Sequence, residues 1–183
     1  MTFSVWGRYS IFGVLVALVT FVLDQLSKYW IVQIFWPQTG CDPLNFAKAY
    51  LCSYEVTSFM DLTMAWNKGV SYGLLAQDSD IGRWFLIGFS LVAMIGFFLW
   101  LARSLCPILA LGIGLIIGGA AGNAVDRVIY EAVADFVLLH AFGYNWYIFN
   151  IADVAIVFGA ALLFYHLIFI DPKTAKNVNA ESG

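Results

Sequence analysis

The stretch SLCPILALGIGLIIGGAAGNAVDR, residues 104–127, decides the fold. It carries no charge from residue 104 to residue 125 and then ends in Asp126 and Arg127. About 20 helical residues cross the roughly 30 Å hydrocarbon layer of a bilayer, so this run reads as a transmembrane helix. Its glycines and alanines crowd at 118–122, and small residues let membrane helices approach closely. Working outward, the same character recurs three times. The expected spans are about 10–34, 83–102, 105–125 and 151–170. The first is uncharged from 9 to 23 before Asp24 and Lys28 interrupt it.

Composition agrees. The chain is 62% hydrophobic and 11% charged, with a mean hydropathy of +0.83. A soluble domain is nearer half apolar and a quarter charged. A chain of 183 residues cannot hide that much apolar surface in one small core, so lipid must cover part of it. The net charge is -3 with no basic tract, which argues against a nucleic-acid partner. No linker or internal repeat divides the sequence, so one integral-membrane domain, 1–183, is expected.

The first run has only Arg8 before it and no small-x-small cleavage site after it, so it is read as a retained helix rather than a cleaved signal. The second and third helices form a tight hairpin around residues 103–107. An even number of spans puts both termini on one side and both long loops, about 36–81 and 127–149, on the other. Short β-like runs such as residues 58–66 predict a small sheet on the membrane surface. Loop charges barely discriminate the sides. Cys41 and Cys52 can join as a disulfide if their loop faces an oxidising compartment, or remain two free thiols.

Charge near hydrocarbon is expensive, so polar residues there need a partner or a wet cavity. They gather near one membrane surface. Asp24 and Lys28 are four apart and share a helix face. Asn67-Lys68-Gly69-Val70-Ser71-Tyr72-Gly73 reads as a turn that brings backbone close to something. Asn123 and Asp126 lie on one face at the end of the third helix, where Arg127 could pair with Asp126 or hold a substrate carbonyl. Asn150 is a good N-cap for the fourth helix. Asp153 lies three residues on, where the helix dipole favours a carboxylate. Asp135 stands in an apolar run, which favours its protonated form. Each feature also has a plain structural reading, as cap, salt bridge or helix-end network. One ionised and one reluctant carboxylate are what acid–base cleavage by activated water needs. Histidine and cysteine spacing gives no zinc site, and no phosphate-cradling loop is present.

Five motifs stand in order: Asp24-Gln25-x-x-Lys28; Asn67-x-Gly69-x-Ser71-Tyr72-Gly73; Gly118-Gly119-x-x-Gly122-Asn123-x-x-Asp126-Arg127; Ala134-Asp135-Phe136; and Phe149-Asn150-Ile151-Ala152-Asp153. Together they resemble bacterial lipoprotein signal peptidase, signal peptidase II, over nearly the whole chain. The resemblance implies four transmembrane helices, a periplasmic β-cradle with a short periplasmic helix, and cytoplasmic termini in the bacterial inner membrane. It implies an aspartic endopeptidase that cuts diacylglyceryl-modified prolipoproteins before the lipid-bearing Cys, at the edge of the membrane lipids. The catalytic pair falls on Asp135 and Asp153. Asp24, Lys28, Asn67, Gly69, Asn123, Asp126, Arg127 and Asn150 line or support the site. No cofactor or metal is implied, and globomycin is the implied inhibitor. The stretch 37–55 is longer than the family leads one to expect and carries the extra Cys pair, and Ser71-Tyr72 replaces a small residue and Phe. The rival readings are a proton-coupled transporter and a polar-faced scaffold. Against transport, the acidic residues cluster at one surface, and the second and third helices carry no mid-depth charge.

Overall fold

A computed structural model describes residues 6–46, 48–69 and 80–170. Ser71, Tyr72 and Gly73 of the second motif lie outside the described residues. Among the described residues, four helices are long and apolar enough to cross a membrane: α1 (Ser10–Gln38), α2 (Asp80–Leu101), α3 (Pro107–Ile129) and α4 (Ile151–Ile170). The chain is therefore a multi-pass membrane protein. Between α1 and α2, and between α3 and α4, the chain builds one antiparallel sheet in the order β1 (Ser53–Thr57), β2 (Met60–Asn67), β3 (Val133–Ala141), β4 (Tyr144–Phe149). A single 3-10 turn at Ala49–Leu51 precedes β1.

The third span is the hub. In α3, 56% of the hydrophobic window is buried, against 17–22% in the other three helices. Glycine spacing explains why. Gly114, Gly118 and Gly122 are four apart and form one stripe that receives α1. A Cβ on Gly118 would stand 2.5 Å from the Ala17 carbonyl oxygen, so only glycine allows that approach. A Cβ on Gly119 would meet the Ala152 carbonyl oxygen of α4 at 2.6 Å. The two faces of α3 thus bring the polar ends of α1 and α4 together.

α1 does not stop where lipid would end it. It continues through a π-helical stretch, Trp30–Phe35, to Gln38. That extension buries Ile31, Val32 and Trp36 against Cys52, Met64, Ala134 and Phe136, forming the core behind the sheet. Cys41 and Cys52 form a disulfide, with a Cα–Cα distance of 5.7 Å, and close the intervening loop onto that core. Trp66 of β2 seals it, donating its indole N–H to the Pro43 carbonyl at 2.7 Å and packing in tilted contacts against Phe46 and Tyr130.

Candidate active site

The site forms where α1, α3, β2, β3 and the start of α4 converge. Asn150 caps α4 with a full capping box: its side-chain oxygen accepts the Asp153 N–H at 2.9 Å, and its own backbone N–H donates to Asp153 Oδ2 at 3.3 Å. The same Asn150 donates Nδ2 to Asp135 Oδ1 at 2.7 Å. One asparagine therefore holds both aspartates. β2 and β3 pair with Ala65 opposite Asp135, so Asn67, two residues on, shares the Asp135 face. Asn67 Nδ2 donates to Asp135 Oδ2 at 3.1 Å. Asn123 of α3 donates Nδ2 to Asp153 Oδ1 at 2.9 Å. Each of the four carboxylate oxygens thus accepts one amide or backbone donor.

The orientation of the three asparagines is forced by groups that can only donate. Gly69 N–H points at Asn67 Oδ1 at 3.1 Å, the Lys28 ammonium at Asn123 Oδ1 at 3.1 Å, and Asp153 N–H at Asn150 Oδ1. Each carboxamide must then turn its NH2 toward an aspartate. This is the work of Gly69 and Lys28, neither of which donates to a carboxylate of the Asp135–Asp153 pair.

Asp135 is 2% exposed. Burial raises its pKa from 3.8 to about 7, the Asp153 charge adds to the rise, and the Asn67 and Asn150 hydrogen bonds oppose it. A carboxyl poised near neutrality beside a second carboxylate is the arrangement that acid–base hydrolysis uses.

A second cluster lies beneath. Lys28 Nζ is 2.8 Å from Asp24 Oδ2 and 2.9 Å from Asp126 Oδ2, all three groups being at most 3% exposed. Asp24 Oδ1 accepts the Ala152 N–H of α4 at 3.0 Å, and Asp126 Oδ2 accepts the Ala134 N–H of β3 at 3.1 Å. The cluster pins the first turn of α4 and the start of β3. Those are the two segments that carry the aspartates. Arg127 does not turn to Asp126: it donates to the Asn123 carbonyl at 3.1 Å and lines the cavity.

That cavity, about 750 Å³, opens beside Asp153. Asn67, Gly69 and Arg127 form its polar end, and Val154, Val157, Phe158 and Ala161 of α4 form an apolar wall. Trp146 and Phe149 of β4 complete it.

A family model described as signal peptidase (SPase) II matches residues 16–169. The chain belongs to the signal peptidase II family. The lipoprotein signal peptidase of Rhodopseudomonas palustris is 45% identical over 157 residues, 84% of this chain and 89% of that protein. That of Methylorubrum extorquens is 40% identical over 171 residues, 93% and 94% of the two chains. A solved bacterial membrane enzyme superposes with a TM-score of 0.69 at 27% identity, covering 86% of this chain and 93% of that one.

Within this family framework, all ten residues singled out from sequence fall in the two linked clusters or on the cavity wall. Gln25 was quoted in its motif but given no role. Its side chain donates to Asp24 Oδ2, the Gly122 carbonyl and Asp126 Oδ1 at 3.1–3.3 Å, tying α1 to α3. Its place beside Asp24 was the available signal. Trp146, Tyr147 and Phe149 also line the cavity, and Tyr147 accepts from Asn67 Nδ2 at 3.2 Å. Phe149 stands in the fifth motif beside Asn150, whereas in a chain with 17% aromatics nothing in the sequence marks Tyr147.

Proposed function

We propose that this chain is an aspartic endopeptidase that removes signal peptides from diacylglyceryl-modified prolipoproteins, cutting before the lipid-modified Cys. The observation that carries this reading is the aspartate pair held from one asparagine at the mouth of an apolar-walled cavity. The pair shares one proton. Asp153 takes a proton from water as the oxygen attacks the scissile carbonyl, and Asp135 gives its proton to the carbonyl oxygen. The intermediate collapses as the Cys amine leaves with the proton held by Asp153, while Asp135 recovers its own. Arg127, on the cavity wall, is placed to orient a substrate carbonyl. The apolar wall of α4 favours a lipid-modified substrate arriving sideways from the membrane lipids. Globomycin would occupy the same space.

The reading places a single membrane domain in the bacterial inner membrane with cytoplasmic termini and a periplasmic site. The Cys41–Cys52 disulfide supports an oxidising side for the sheet. The test is cleavage of a diacylglyceryl-modified prolipoprotein by purified protein, with Asp135→Asn and Asp153→Asn alongside. Both variants should fold and unfold cooperatively yet lose at least about a thousandfold in kcat, as expected when an interdependent catalytic group is removed. Substantial cleavage by either folded variant would overturn the mechanism.

A further inference from the structure

The main cavity has a neighbour. A second hollow of about 390 Å³ lies on the far side of Leu139 and Trp146, bounded by Phe59, His140, Ala141 and Tyr144. Leu139 and Trp146 line both spaces, so these two side chains are the partition between them. Trp146 stands at an irregularity in the sheet. Leu138 pairs with Ile148 but His140 pairs with Asn145, so β4 holds one more residue than β3 across this step. Such a bulge re-aims side chains and is frequent beside active sites. Trp146 is 76% exposed, so little holds its indole in one position.

The walls of the second hollow are aromatic and aliphatic. The imidazole of His140 is engaged by Asp61, with Nε2 3.1 Å from Oδ1. A peptide would bring backbone N–H and C=O groups that such walls cannot satisfy. A hydrocarbon chain brings none. The hollow shares Leu139 and Trp146 with the cavity that Asp153 lines, so a chain leaving that cavity past Trp146 would enter it.

We propose that this second hollow is an acyl subsite: one fatty chain of the substrate's diacylglyceryl group passes Trp146 and lies between Phe59, Leu139 and Tyr144. The proposal rests on the lipoprotein-processing reading and adds where the lipid is recognised. It makes Trp146 and Ala141 determinants of acyl-chain preference rather than of chemistry.

The experiment compares two prolipoprotein substrates with the same peptide, one bearing long (sixteen-carbon-class) acyl chains and one bearing short (four-carbon-class) chains. It uses wild type and Ala141→Trp. Ala141 lies at the exposed end of β3, so the larger ring fills the hollow without entering the core. The expected result is a KM raised about tenfold for the long-chain substrate, equivalent to about 1.4 kcal/mol. The short-chain KM and both kcat values should stay within about twofold of wild type, a difference too small to count as a lost contact. Trp146→Ala, which removes the partition, should lower the KM ratio of long-chain to short-chain substrate. An equal rise for both substrates assigns the hollow to peptide, and no change for either assigns it to bulk lipid. Either outcome overturns the proposal while leaving the peptidase reading intact. If wild type cuts neither substrate, the peptidase reading itself fails and the subsite falls with it.

Discussion

Two neighbouring acidic clusters meet through Asn123 of α3 and are built on opposite principles. Asp24 and Asp126 face an ammonium, Lys28, at 2.8 and 2.9 Å. The hydrogen bonds described for Asp135 and Asp153 come from uncharged amides, while the Arg127 guanidinium acts on both carboxylates through space. The ammonium offsets part of the charge of the two carboxylates it touches, and the first cluster ties α1 and α3 to β3 and α4. Amides fix where a carboxylate's oxygens point but do not supply a counter-charge. The second cluster therefore stays able to take and give a proton. The difference teaches that residue type alone does not separate a structural aspartate from a chemical one. The nature of its partner does.

Three measurements test that division, and the largest effect should come from Lys28. Lys28→Met leaves two buried carboxylates without their cation, and breaking a buried ion pair from one side costs about 3–5 kcal/mol. Thermal unfolding in detergent should show a drop of many degrees. Adding Asp24→Asn and Asp126→Asn should return much of it, because a neutral cluster has no charge to strand. A Lys28→Met variant as stable as wild type would remove the structural half of the comparison. Next, Asn150→Ser keeps a side-chain oxygen to cap α4 but removes the amide that reaches Asp135. A preorganised donor of this kind is worth about 10²–10³ in kcat, so kcat should fall by that order while KM and unfolding temperature change little. A large KM change with normal kcat would mean Asn150 binds substrate instead of aiming Asp135. The smallest effect is one of pH. With Asp135 at about 7 in the folded chain and 3.8 as its ordinary value, the folded state holds a proton that the unfolded state has lost between those values. Its contribution to stability therefore declines as pH rises from about 3.8 to about 7 and is level above. Asp135→Asn should gain on wild type in unfolding temperature across that window. Wild-type kcat should decline above about pH 7 as the proton is lost. A rate that keeps rising through pH 8 would assign the acid elsewhere.

The sequence determined whatever depends on composition or on neighbours within one helical turn. Four long apolar runs announce four helices, because hydrocarbon demands length and apolarity from any span. Asp24 and Lys28 at i,i+4, and Asn150 and Asp153 at i,i+3, could be paired on paper because a helix fixes their separation. The glycines of α3 signalled close packing, though not which stripe receives α1 and which receives α4. Tertiary structure alone decided the rest. It chose the disulfide over two free thiols for Cys41 and Cys52. It sent Asp126 to Lys28 rather than to Arg127. It brought Asn67 to Asp135 across 68 residues and Asn123 to Asp153 across 30. These meetings depend on sheet register and helix approach, and a one-residue slip in β3 would turn Asp135 to the opposite face. Local chemistry can nominate such residues, but only the packed chain sets the distances at which they act.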